Sequence, residues 1–172
     1  MRLIAVKSLA LTPGADLFRD LSRSLSPGNR LGLIAANGGG KSSLQRCLAG
    51  QMKPTAGEIA RTRGLTTALV EQDLPAAMLA LTLREAVAMA AVDGEEWRGD
   101  VVLNDLAVPE ALRDGTMAGL SGGWKRTTLL ARAAVQEPDV YLLDEPTNHL
   151  DLARIGRLQG WLTSLPSTPR RR

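Results

Sequence analysis

The stretch Leu120-Ser121-Gly122-Gly123-Trp124-Lys125-Arg126 decides how this chain is read, together with a second one. After thirteen mostly small or apolar residues comes Val140-Tyr141-Leu142-Leu143-Asp144-Glu145-Pro146-Thr147-Asn148-His149-Leu150-Asp151. Ser121 is a good helix N-cap, and the glycines behind it leave the first amides of that helix open to an anion. Val140–Leu143 has the length and composition of a buried strand, and it ends on two carboxylates. A carboxylate at the end of a buried strand is costly unless it meets a cation. An anion-binding helix start and a cation-seeking strand end both suit a metal-bound phosphate.

Working outward, a phosphate cradle stands upstream. Residues 30–35 (Arg-Leu-Gly-Leu-Ile-Ala) are expected to form a short buried strand of the kind found in parallel sheets. Asn37, Gly38, Gly39 and Gly40 then make a glycine-rich turn, and Lys41-Ser42-Ser43 open a helix predicted to run to about Ala49. Leu44 and Leu48 share one face of it, and Gly50 is its stop. Such a turn aims successive backbone N–H groups at one point, where the helix end adds about half a positive charge. Lys41 is expected to reach the β- and γ-phosphates, and the Ser42 hydroxyl to bind Mg²⁺. The pattern G-x-x-x-x-G-K-[ST] has its first glycine five residues before Gly40, where this chain has Ala35. Alanine there costs roughly 1–2 kcal/mol if the position needs a positive φ.

The remaining chain reads as alternating strands and helices. Residues 3–11 alternate as a first strand, closed by a turn at Thr12-Pro13-Gly14. Pro27-Gly28 marks another turn. Pro54-Thr55-Ala56-Gly57 precedes a strand near 58–60, and residues 66–70 form a strand leading to Gln72. Residues 73–120 are rich in Ala, Leu and Met with helical spacing, and are expected to form a helical subdomain. A last helix is predicted over 152–165. The expected organisation is one α/β domain over 1–165, with a core of 1–72 and 121–165, and a Pro/Arg tail at 166–172.

Bulk properties narrow the function classes. With 172 residues and 44% hydrophobic content the chain suits one domain with a sizeable core. No run of about 18 uncharged apolar residues exists, so no membrane span is expected. One cysteine, Cys47, excludes an internal disulfide and fits a reducing cytoplasm. Arg170, Arg171 and Arg172 account for the whole net charge of +3. Residues 1–63 hold ten Lys and Arg against three Asp and Glu, which reads first as a solvated face balanced by the acidic remainder.

These motifs together resemble the nucleotide-binding domain of ATP-binding-cassette (ABC) proteins, a P-loop NTPase fold with an inserted helical subdomain. The resemblance covers nearly the whole chain. It implies that Asn37, Gly38, Gly39, Gly40, Lys41, Ser42 and Ser43 bind ATP, and that Ser42, Gln72 and Asp144 serve Mg²⁺. It implies that Glu145 polarises the water attacking the γ-phosphate. Ser121, Gly122 and Gly123 would contact the nucleotide of an opposite cassette. The implied partner is therefore a second cassette, in cis or as a homodimer. Trp124 stands where the family usually has glutamine; with the run Asp144–Asp151 it resembles the F subfamily, cytoplasmic twin-cassette proteins that act on ribosomes. His149 falls in the family's D-loop, and Cys47 is expected to be a core residue.

Three departures shape a second expectation. The region 11–14 lacks the aromatic on which the family stacks adenine, Phe18 being the substitute at hand; a base–aromatic stack is worth about 1–3 kcal/mol. The family's switch histidine and the strand before it lie beyond the residues present. That strand inserts between the cradle strand and Val140–Leu143, and without it a truncated chain would leave core backbone groups unpaired. Three readings follow: an F-type ATPase, the ATPase subunit of a transporter, or a non-catalytic remnant that binds nucleotide weakly or serves as an interaction module.

Overall fold

A computed structural model describes residues 2–12 and 17–166. Its contacts divide the chain into two compact units. Pro13 and Gly14 of the turn expected at Thr12-Pro13-Gly14, and most of the Pro/Arg tail, lie outside the described residues.

The first unit spans the described part of residues 1–69 with 139–144. Strand β1 (Ile4–Leu11) is the middle of an antiparallel sheet, flanked by β2 (Phe18–Leu25) and β3 (Ala56–Arg61). Ile4 pairs with Leu25 on one side and Arg61 on the other, and register shifts follow Val6 and Leu9 on the β2 side. Helix α1 (Lys41–Ala49) ends at Gly50, whose φ of +80° and bonds to the Arg46 and Cys47 carbonyls make it the stop its sequence position suggests. Strand β4 (Thr67–Val70) pairs with β5 (Val140–Leu143). The Asp139 carboxylate fixes the start of that pair by accepting from the Thr66 amide at 2.8 Å and its hydroxyl at 2.9 Å. One apolar cluster unites Leu3, Ile4, Val6 and Leu9 with Leu44 and Leu48 of α1 and Val140 and Leu142 of β5. Alternation along β1 and 3.6-residue spacing along α1 therefore supply the two faces of one core.

Residues 30–35 depart from expectation. They are not a strand, and Leu31, Leu33 and Ile34 are exposed, Ile34 fully so. Among the described residues no strand pairs with them, and the backbone of 31–34 makes no hydrogen bond. An apolar run becomes a sheet strand only where a neighbouring strand takes up its backbone hydrogen bonds. That condition is not met here.

The second unit comprises 70–138 with 145–165. It holds α2 (Leu83–Ala88), α3 (Arg98–Asp105), α4 (Glu110–Arg113), α5 (Gly122–Val135) and α6 (Leu152–Ser164). Thr82 caps α2 in a complete capping box with Glu85. Leu83, Val87, Leu103 and Met117 are fully buried in this unit. The unit boundary differs from a helical subdomain of 73–120 alone, because α5 packs against α2 and α3 and joins their unit. Its apolar and small residues from Leu129 to Val135 are buried, which is why a helix of this composition takes the interior place.

Candidate functional site

The cradle lies in the first unit, between residue 35 and α1. Gly38 and Gly40 have φ of +78° and +80°, conformations that side chains resist. At Gly39 space is the constraint: a Cβ would lie 2.9 Å from the Ala36 carbonyl oxygen and 3.0 Å from the Ala35 Cβ. The Gly39 amide donates to the Ala36 carbonyl at 2.9 Å, closing the turn. Ala35 is not among the residues of positive φ, so alanine carries no backbone strain where the motif usually has glycine. The Lys41 ammonium folds back over the turn, 3.0 Å from the Ala35 carbonyl oxygen and 3.4 Å from that of Ala36. Among the described residues the amides of Ser42 and Ser43 make no hydrogen bond. They are the free donors of a helix N-terminus, suited to a phosphate oxygen. The Phe18 ring closes one side, 3.1 Å from where a Gly40 Cβ would stand.

Asp144 follows β5 in the same unit and is 5% exposed. Its strand end is fixed from α1, where the Gln45 side-chain amide donates to the Leu143 carbonyl at 2.9 Å. Ser42 stands one turn before Gln45 on α1, and Asp144 follows Leu143, so this bond joins the two elements that carry the hydroxyl and the buried carboxylate. No cluster of three or more His, Cys, Asp or Glu side chains able to hold a metal occurs among the described residues. That donor set suits Mg²⁺ in a nucleotide site, which takes one or two protein oxygens and completes its shell with phosphates and water. The residues fit Mg-ATP.

The other candidates belong to the second unit. Ser121 occupies the N-cap position of α5, as expected, but its hydroxyl makes no capping bond. Gly122 and Gly123 open α5 against the turn that follows β5: a Cβ at Gly122 would lie 3.3 Å from the His149 Cβ, and one at Gly123 2.9 Å from the His149 carbonyl oxygen. Glu145 and His149 both have positive φ, +44° and +63°. Backbone strain of that kind costs about 1–3 kcal/mol per residue and persists where the surroundings over-determine the conformation. Here the Asn148 side-chain amide donates to the Glu145 carboxylate at 2.6 Å, and the Asn148 backbone N–H donates to the Glu145 carbonyl at 3.1 Å. Gln72 is exposed.

Two residues of this unit carry more structure than the sequence suggests. Arg126 is 3% exposed; it donates to the Glu71 carbonyl and lies 3.4 Å from the carbonyl oxygens of Gln72 and Pro146. It thereby ties the segment before Gln72 and the turn after Glu145 to α5. Arg154 stacks its guanidinium 4.1 Å from the Trp124 ring centroid. Both were hidden because a basic residue on a helix ordinarily lies on a solvated face.

Comparison with known proteins identifies the family. Residues 18–148 match the family model described as ABC transporter. The chain belongs to the ABC transporter family and is an ATP-binding cassette domain. It is 39% identical to the ATP-binding protein Uup of Caulobacter vibrioides, over 94% of this chain and 26% of Uup. It is 37% identical to the zinc import ATP-binding protein ZnuC of Cereibacter sphaeroides, over 88% of this chain and 62% of ZnuC. Its identity to the Bacillus subtilis ABC transporter ATP-binding protein YkpA is 31%, over 96% of this chain and 38% of YkpA. The chain thus spans less than two thirds of these relatives' lengths. Among solved structures it resembles an ATP-binding subunit of an ABC transporter, with a TM-score of 0.80 at 26% identity, covering 95% of this chain and 74% of that one. The dimeric cassette MJ0796 bound to ADP and Pi shares the fold at a TM-score of 0.83 and 22% identity, over 95% and 82% of the two chains. No described helix is long and apolar enough to cross a membrane.

Proposed function

We propose that this cassette binds Mg-ATP in the cradle of residues 37–43 and hydrolyses it when paired with a second cassette, in cis or as a homodimer. The observation that carries this reading is the conjunction of an open, positive-φ glycine turn at the start of α1 with the buried Asp144 beside it. Amides of the first turn of α1 and the Lys41 ammonium bind the phosphates; Phe18, beside the cradle, is the aromatic available to the base. Ser42 and Asp144 hold Mg²⁺, with Gln72 serving the same ion. When bound, that ion neutralises charge on the β- and γ-phosphates. Glu145 accepts a proton from the attacking water. Ser121, Gly122 and Gly123 donate to the nucleotide of the facing cassette, a reading supported by the dimeric state of the similar cassette MJ0796.

Within the family, Trp124 and the run Asp144–Asp151 favour a cytoplasmic, ribosome-associated F-type protein over a transporter subunit. The likeness to ZnuC keeps the transporter reading in view. One observation favours the non-catalytic reading: among the described residues, no strand pairs with residues 30–35 where they enter the cradle.

Phosphate release from Mg-ATP, measured beside Lys41→Ala and Glu145→Gln, separates these readings. The expected result is turnover by the wild type, lost in both variants, with a Mg-ATP-dependent dimer for Glu145→Gln in light scattering. No turnover and no such dimer sinks the ATPase reading for this chain.

A further inference from the structure

We propose that Arg154 is a positioning residue: it locks the turn 145–151 onto the first turn of α5, so that the Ser121–Gly123 segment and Glu145 are held as one rigid piece. The proposal rests on the ATPase reading above for its catalytic consequence, though not for its geometry.

Arg154 stands in the first turn of α6. Its backbone N–H donates to the Asp151 Oδ1 at 2.8 Å, and its Nη1 donates to the Asp151 Oδ2 at 2.9 Å. The same guanidinium lies over Trp124, 4.1 Å from the ring centroid, well inside the roughly 6 Å over which a cation is drawn to an aromatic face. Its Nη1 also fills the space beside Gly123, where a Cβ would stand 2.7 Å away. One side chain therefore touches the end of the turn, the ring at the start of α5 and the second glycine of the phosphate-binding motif.

The turn needs such a brace. Two of its residues, Glu145 and His149, hold positive φ without being glycine. Asn148 braces the Glu145 end, and the His149 end rests on Gly122 and Gly123. Arg154 is the cation that holds Asp151, two residues beyond His149, to the same helix. A planar guanidinium can stack on Trp124 and pair with Asp151 at once, which a lysine ammonium does poorly. This assigns a use to Trp124, which no step of nucleotide chemistry requires.

Misplacing a catalytic group by about 1 Å can cost a hundredfold in rate. The test combines steady-state phosphate release with amide hydrogen exchange, for the wild type, Arg154→Ala, Arg154→Lys, Trp124→Ala and Trp124→Phe. Arg154→Ala is expected to lower kcat at least tenfold with KM for ATP within twofold, and to speed exchange in 147–151 and 122–125. Trp124→Ala should reproduce both effects and the double variant should add little, while Trp124→Phe stays within about threefold of the wild type. Arg154→Lys should recover less than half of the loss. An unchanged kcat, or a KM rise that equals the kcat loss, overturns the proposal. Should the wild type release no phosphate, the ATPase reading fails and exchange decides alone: equal rates in the wild type and both alanine variants overturn the lock. Should Arg154→Ala fail to fold by circular dichroism, Trp124→Ala carries the test by the same criteria.

Discussion

The Asn148 side-chain amide donates to the Glu145 carboxylate across 2.6 Å, inside a turn whose first residue has a φ of +44°. A carboxylate held by a neutral amide is oriented yet still able to accept a proton. Glu145→Gln is expected to cut phosphate release by at least a hundredfold while leaving ATP binding intact, in line with the 10²–10⁴ typical of a general base. Asn148→Ala keeps the carboxylate and loses its orientation, so a smaller fall of about tenfold is expected. Single-turnover assays beside nucleotide-binding titrations measure both; equal losses in the two variants would contradict separate roles.

Arg126 is a buried cation of the second unit, with carbonyl oxygens of Glu71, Gln72 and Pro146 around it. Arg126→Met removes a charged donor from these carbonyls, and hydrogen bonds to charged groups contribute about 1.5–3 kcal/mol each to stability. A loss of about that size is expected in urea unfolding. Arg126→Lys should recover only part of it, since an ammonium cannot reproduce the planar fork.

The exposure of residues 31–34 makes a prediction opposite to the sequence reading. Ile34→Lys is expected to change stability by less than about 0.5 kcal/mol, as for surface sites generally. Leu130→Ala, at a position only 2% exposed, should cost about 2–5 kcal/mol. Comparable losses for the two, read from the same unfolding curves, would mean that Ile34 is buried after all.

Cys47 is 1% exposed on the inner face of α1, and burial pushes its thiol above the ordinary range, with Arg61 opposing the shift. Thiolate is the reactive form, so the native protein should react with a thiol reagent at least a hundredfold more slowly than the urea-unfolded chain. Labelling followed by mass spectrometry checks this. Fast labelling without denaturant would show that α1 opens locally.

Glu85 accepts from the backbone N–H and hydroxyl of Thr82, and these bonds, backbone first, hold its pKa below the usual glutamate value. A depressed folded pKa stabilises the protein above the unfolded value of about 4.3. That contribution is lost as pH falls through the lower, folded value. Glu85→Gln should therefore lower the melting temperature most on the neutral side, where that contribution is present, and converge with the wild type on the acid side, which flattens the profile. Thr82→Ala removes the N-cap and should cost about 1 kcal/mol near neutral pH.

Much of this site was legible from local chemistry. Gly38 and Gly40 adopt the positive φ that a glycine-rich turn promises, Gly50 stops α1, and Val140–Leu143 is the strand its apolar run suggested. Asp144 is buried at the end of that strand. Ser121 was legible as the start of α5 but not as a cap, because whether a hydroxyl bends to an amide depends on what else surrounds it. The brace residues were not legible at all. Arg126 and Arg154 occupy helix positions that read as solvated, and only the approach of segments 20 to 55 residues away in the chain turns them inward.

The sequence alone determined the family and the local geometry of the phosphate turn, because both rest on residue types at fixed short spacing: glycines that adopt positive φ without strain, a lysine and a serine at a helix start, two carboxylates after an apolar strand. Tertiary structure decided the rest. It left residues 30–35 exposed because a strand forms only where a neighbour takes up its backbone hydrogen bonds, and among the described residues none pairs with them. It also made Arg154 and Trp124 partners, because a cation–aromatic contact is set by where two helices meet, which no short-range pattern encodes.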